Sequence, residues 1–217
     1  PESCLLCGIF KAMIQLGRVE LTSGFLLLLA WLNYLDHSLL VPLAMTACAA
    51  HELGHIAAIR LLGGGIKGMR LTAVGAELML ERPLGYWQEG LSALAGPGTN
   101  LVLALSCCNL ERGLTFAGLN LALALFNLLP VGRLDGGRAL HCTLALLTGP
   151  GAADQVMACL EHLCVAGMLA AGLMLARIRG NVTLLLVAFW LLAALLRQNI
   201  YTDYRNKACQ RVRKKVQ

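Results

Sequence analysis

The pentapeptide His51-Glu52-Leu53-Gly54-His55 lies inside an apolar stretch that runs from Leu39 to Leu62. Whatever this chain folds into must hold two imidazoles and a carboxylate at a depth where lipid is the expected solvent. On a helix, residues i and i+4 share a face, so both imidazoles can reach one Zn²⁺ while Glu52 sits beside them as a general base for water. Ionisable side chains at membrane depth are costly, which makes such a cluster a functional hypothesis by default. The plain alternative is a pair of buried histidines hydrogen-bonded between helices.

Composition supports the lipid setting. Of 217 residues, 58% are hydrophobic and 14% charged, against roughly 25% charged in soluble domains; mean hydropathy is +0.68. An integral, multi-pass cell-membrane protein is expected. Arg205, Lys207, Arg211, Arg213, Lys214 and Lys215 crowd the last thirteen positions. A basic end beside a spanning helix reads as a cytoplasmic tail against anionic lipid, with no nucleic-acid partner expected. The nine cysteines are an odd number and fall mostly in apolar segments, so no disulfide framework follows. Cys4 and Cys7 have metal-site spacing but no further pair or nearby His to complete four ligands. No cleavable signal peptide is expected, because the first long apolar run follows Arg18 and has no small-residue cleavage pattern.

The fold class expected is an all-α polytopic membrane protein with about six spans: Val19 to Leu35, Leu39 to Leu62, Gln88 to Leu110, Leu114 to Leu129, Ala152 to Ala176 and Val182 to Leu196. The fourth is broken. It stops at Leu129-Pro130, passes through residues 131–137 and resumes as a short helix from Arg138 to Leu147, a backbone tolerated near a bilayer only when buried in protein or lining a wet cavity. With a cytoplasmic N-terminus, only Arg112, Arg177 and Arg179 of the eighteen Lys and Arg fall outside, so both termini are expected in the cytoplasm. His51, His55 and Asp135 then meet near the cytoplasmic face. Gly63-Gly64-Gly65 should end the second helix, and Ile66 to Glu81 reads as a small hairpin at the membrane edge or as an ordinary loop; as a hairpin, its free edge could pair with an extended substrate. One membrane domain, residues 1–197, and a basic tail, 198–217, account for the chain. Glu77, Glu81 and Glu89 belong to the loop before the third span and are expected to be solvated, and His141 to be a satisfied polar group.

A site of two His needs a further protein ligand and an open position for water. Asp135 is the best candidate, although an Asp at the start of a helix is also a normal N-cap. HELGH in the second span, Ala95-Gly96-Pro97-Gly98-Thr99-Asn100 in the third, and Asn127-Leu128-Leu129-Pro130 with Leu134-Asp135-Gly136-Gly137 after the fourth resemble the site-2 protease family of intramembrane metalloproteases. Within it, the two extra spans and compact N-terminus most resemble the stage IV sporulation protein FB group, which releases a membrane-tethered pro-sigma factor. The resemblance implies that His51, His55 and Asp135 bind zinc. Glu52 would take a proton from the zinc-bound water and deliver it to the leaving amine, and Asn127 would hold substrate or oxyanion, its alternative being a polar contact between helices. It implies a membrane-tethered protein substrate, the lipid bilayer and regulatory membrane proteins as partners. With about twenty residues after Leu196, neither the PDZ insertion nor the C-terminal nucleotide-sensing domain of many relatives is expected. Gly96 and Pro97 read as residues that permit close packing and a bend.

Two other classes compare poorly. A membrane di-iron hydroxylase also uses histidine boxes on helices, but the five histidines here include only two in a box. A non-catalytic relative that binds membrane clients is the runner-up, and the presence of Glu52 with all three candidate ligands counts against it.

Overall fold

The computed structural model describes residues 13–16, 19–72, 75–110, 113–180, 182–193 and 195. Strands β1 (Met13–Leu16) and β2 (Val19–Thr22) lead into helices α1 (Ser23–Leu35) and α2 (Leu40–Leu61). Strands β3 (Ile66–Thr72) and β4 (Gly75–Leu80) follow, then α3 (Tyr86–Cys107), α4 (Leu114–Asn127), α5 (Asp135–Thr148), α6 (Pro150–Arg179) and α7 (Thr183–Ala193). The residues fall into two compact units, one through Met157 and one from Ala158. In the second, Gly172 on α6 lets the backbone of Leu185 on α7 pass where a Cβ would stand 3.0 Å away.

The all-α expectation is corrected by a four-stranded sheet in the order β1-β2-β3-β4. The hairpin from Ile66 is there, with Thr72 opposite Gly75 and Arg70 opposite Glu77. What the sequence concealed is β2, which pairs in parallel with β3 through Val19–Met69 and Leu21–Leu71. The first span therefore does not begin at Val19. Thr22 ends the strand, donating its hydroxyl to the Leu71 carbonyl at 3.0 Å, and its Oγ1 caps α1 by accepting from Phe25 N–H at 3.3 Å. Because the side chain serves both elements, an apolar run that reads as one helix splits there.

Six spans were expected. Among the described residues, two helices are long and apolar enough to cross a membrane, α3 and α6 as far as Ile178. α1, α4 and α7 are apolar but shorter. At 1.5 Å per residue the 14 residues of α4 reach about 21 Å, below a hydrocarbon core of about 30 Å. α2 has the length, 22 residues, but its polar cluster dilutes its hydropathy. Leu27, Trp31, Leu53, Leu61, Val102 and Leu105 face outward, while His51, His55, Ser92, Asn100, Asn120 and Asp135 are buried. That inverts the arrangement of a water-soluble protein, and an apolar medium satisfies it.

Capping fixes both ends of α2. At its start, the Asp36 carboxylate accepts from Ser38 N–H at 2.9 Å and Val41 N–H at 2.7 Å, bonds that hold it below the ordinary carboxylate range. Leu39 is held in the left-handed region, φ 58°. At its end, Gly63 takes φ 80°, its N–H bonds the Arg60 carbonyl at 3.1 Å, and Gly64 N–H bonds the Ile59 carbonyl at 2.8 Å, a Schellman closure that leaves the chain free to turn into β3. The break between α4 and α5 is where it was expected, though α5 starts at Asp135 rather than Arg138. Leu134 N–H bonds the Val131 carbonyl at 2.8 Å, and a Cβ on Gly136 or Gly137 would enter the backbone of Leu128 or of Val131 and Gly132. The basic tail from residue 198 lies outside the described residues.

Candidate metal centre

α2 and α5 bring three side chains to one point, against α3. His51 and His55 lie one turn apart on the buried face of α2 and are 5% and 7% exposed; Asp135, in the first turn of α5, is 7% exposed. His51 Nε2 and His55 Nε2 are 3.1 Å apart, and Asp135 Oδ2 is 3.0 Å from the first and 3.2 Å from the second. The capping alternative for Asp135 fails in this geometry: Leu134 is the N-cap, and the carboxylate turns to the imidazoles instead.

The partners of the other ring nitrogens decide what this cluster wants. His55 Nδ1 is 2.7 Å from the Ser92 carbonyl, and His51 Nδ1 is 2.5 Å from Asn100 Oδ1, both acceptors, so each Nδ1 carries the hydrogen. Each neutral ring then presents a bare lone pair at Nε2. Two such lone pairs and a carboxylate oxygen meeting within 3.2 Å repel unless a proton or a metal ion lies between them. Tetrahedral zinc, with ligand bonds of about 2.0–2.1 Å, sets neighbouring donors about 3.3 Å apart, close to the spacing here. Nitrogen and carboxylate donors of this kind suit a catalytic divalent metal, and the residues fit it.

Gly96 makes the fit possible. It faces α2, and a Cβ there would run into His55 Nε2 and lie 2.8 Å from His51 Nε2. The reading of Gly96 as a packing residue is sharpened: the room it leaves is the room of the cluster. On the opposite helix Gly54 answers it, because a Cβ there would come within 2.7 Å of the Ala95 carbonyl. Two glycines facing across α2 and α3 let the helices approach closely.

Glu52, next to His51 and half-buried, is within electrostatic reach of both imidazoles, Asp135 and Arg138. Arg138 Nη1 lies 3.8 Å from Asp135 Oδ1 and its Nη2 3.3 Å from Glu89 Oε1. The expected solvated loop residue Glu89 is thus an ion-pair partner one turn from Ser92, because α3 starts at Tyr86 and carries it inward. Asn127 ends α4 with its Nδ2 donating to the Leu123 carbonyl at 3.0 Å, leaving its Oδ1 without a bond to any of the three cluster residues. His141 pairs with Asp154 at 2.8 Å, away from the cluster, as expected for a satisfied polar group. Asn100 was visible only as the last residue of the Ala95–Asn100 motif, without a role; Asn120 had no such signal, nor had the Ser92 carbonyl, a backbone group that no side-chain pattern reveals. A cavity of about 530 Å³ opens at the far end of α2 beside Arg60, Glu81, Arg82 and Gln88, and no member of the cluster lines it.

No family profile matches the chain. In a match that covers 49% of its length, it is 35% identical to a protein of Synechocystis sp. named "Putative zinc metalloprotease sll0528", and it spans 31% of that protein. Its fold is that of the site-2 protease from Methanocaldococcus jannaschii: the two superpose with a TM-score of 0.61 at 24% identity, covering 83% of this chain and 92% of the other.

Proposed function

We propose that the chain is an intramembrane zinc endopeptidase that cuts a membrane-tethered protein in or near a transmembrane segment. The observation that carries the reading is the meeting of two imidazole lone pairs and a carboxylate oxygen at one buried point, beside a second carboxylate that is not part of the triad. His51, His55 and Asp135 would hold zinc, and Glu52 would be the proton carrier. When bound, zinc would polarise the scissile carbonyl and acidify water at the site. Glu52 accepts a proton from that water and returns it to the departing amine, so one carboxylate serves both halves of the hydrolysis. Arg138 draws on the outer oxygen of Asp135 and leaves the inner one to the metal. Asn127, at the break after α4, is proposed to hold substrate or oxyanion.

An extended client suits the fold. β4 is the edge of the sheet among the described strands, and a peptide laid along it gains backbone hydrogen bonds that an unwound membrane segment has lost. A multi-pass arrangement with both termini in the cytoplasm, a 1–197 protease domain and a client of the pro-sigma-factor kind complete the reading. The likeness to the stage IV sporulation group supports that client class, and regulatory membrane proteins would control access.

The test is zinc content of the detergent-purified chain beside Asp135→Asn. About one zinc per chain, falling in the variant, is expected; a folded chain that holds no zinc overturns the reading.

A further inference from the structure

We propose that Asn120 is a positioning residue for the metal centre, acting through Asn100 to fix which nitrogen of His51 faces the metal. The proposal rests on the metal-centre reading above. Asn100 and Asn120 are both 0% exposed, on α3 and α4, in helices that are otherwise apolar at that level. Neither touches the cluster's inner face, so neither is a ligand. Two buried amides with no solvent must satisfy each other or cost free energy.

Their bonds run one way. Asn120 Nδ2 donates to the Phe116 carbonyl at 2.9 Å, which can only accept. Asn120 Oδ1 is therefore turned towards α3, where it accepts from Asn100 Nδ2 at 2.7 Å. The second hydrogen of that Nδ2 goes to the Ala47 carbonyl at 3.1 Å. With both donor hydrogens spent, Asn100 can offer His51 Nδ1 only its oxygen. That acceptor requires Nδ1–H and leaves Nε2 bare for the metal. Reversing any amide would set donor against donor or oxygen against carbonyl somewhere along the line.

Without Asn120, a single bond to Ala47 opposes an Asn100 flip. The flipped amide presents N–H to His51 Nδ1, moves the ring hydrogen to Nε2 and points it at the metal site. Groups that orient a ligand in this way typically change metal affinity by about 10–100-fold. Asn120, one step further out, is expected at the lower end.

The experiment measures zinc affinity and the ¹⁵N signals of His51 in the metal-free full chain, in detergent, for the unmodified protein, Asn120→Leu and Asn120→Asp. Leu keeps the volume and removes the acceptor; Asp, buried as the neutral acid, keeps the acceptor for Asn100 and gives the Phe116 carbonyl an O–H in place of Nδ2. Expected are the Nδ1–H tautomer in the unmodified chain, a tautomer mixture with about tenfold weaker zinc binding in Asn120→Leu, and affinity within about threefold of the original in Asn120→Asp. Equal affinities and identical His51 signals across all three overturn the proposal, as does equal loss in Leu and Asp, which is the mark of packing alone. An Nε2–H tautomer in the unmodified chain also overturns it, and decides the matter even if Asn120→Leu does not fold. Failure of the unmodified chain to bind zinc sinks the metal-centre reading instead, because the tautomer is read without metal.

Discussion

The helices around His51 and the sheet beside them handle polarity in opposite ways. In the helical core each buried polar group has a designated partner with one permissible orientation: Ser92 for His55, Asn100 for His51, Asn120 for Asn100. At the sheet, Arg70 Nε meets Glu20 Oε2 at 2.8 Å across β2 and β3, and the pair is half-buried, with the arginine side chain 39% exposed and within reach of water. A low-dielectric setting makes every bond in the first region matter and every loss expensive, whereas the second is screened.

Mutations can break that contrast, and the largest effect should come from the core. Glu52→Gln is expected to keep zinc and lower cleavage of a reconstituted client by about 10²–10⁴-fold, the usual contribution of a proton-transfer group; undiminished cleavage would remove Glu52 from the mechanism. Gly96→Ala drives a methyl into both imidazoles, and zinc affinity should fall by about 10–100-fold by competition with a chelator. An unchanged affinity would mean that α2 and α3 are not as close as described.

The periphery should respond weakly. Leu39→Gly relieves the left-handed φ of 58° at an exposed site, and a gain of about 1 kcal/mol in unfolding free energy is expected by denaturant titration. Arg70→Met should leave zinc content and the thermal midpoint unchanged; a loss of zinc there would make the sheet pair part of the site and erase the distinction between the regions.

How much of this was legible in the sequence depended on whether a residue's partner was local. HELGH carries its own i, i+4 geometry, the glycine run ends α2 by backbone conformation, and Leu129-Pro130 with two glycines marks the break, so these read correctly in place. Asp135 was legible as a candidate only, since capping and ligation use the same residue at the same spot. The partners of Glu89 and Asn100 lie 49 residues away along the chain, and a lone polar residue in an apolar run does not name its partner. β2 was misread because Val19, Glu20, Leu21 and Thr22 join an apolar helix without a gap. Their strand character comes from β3, on the far side of two helices. Of the six expected spans, those at α3 and α6 are long and apolar enough among the described residues, while the break after α4 and the polar cluster in α2 keep two others short or less apolar.

The separation of 84 residues between His51 and Asp135 has a consequence for the life of the chain before it is complete. While a ribosome is still making α3, α2 already holds its two histidines, but two imidazoles alone are a poor trap for a divalent ion. The third donor arrives only after α4 has been made, the chain has turned at the break and α5 has docked. Metal capture therefore waits for α5 to dock and reports that α2 and α5 have met. A chain that stalls or misinserts earlier carries the histidines and the glutamate, but it cannot arm them.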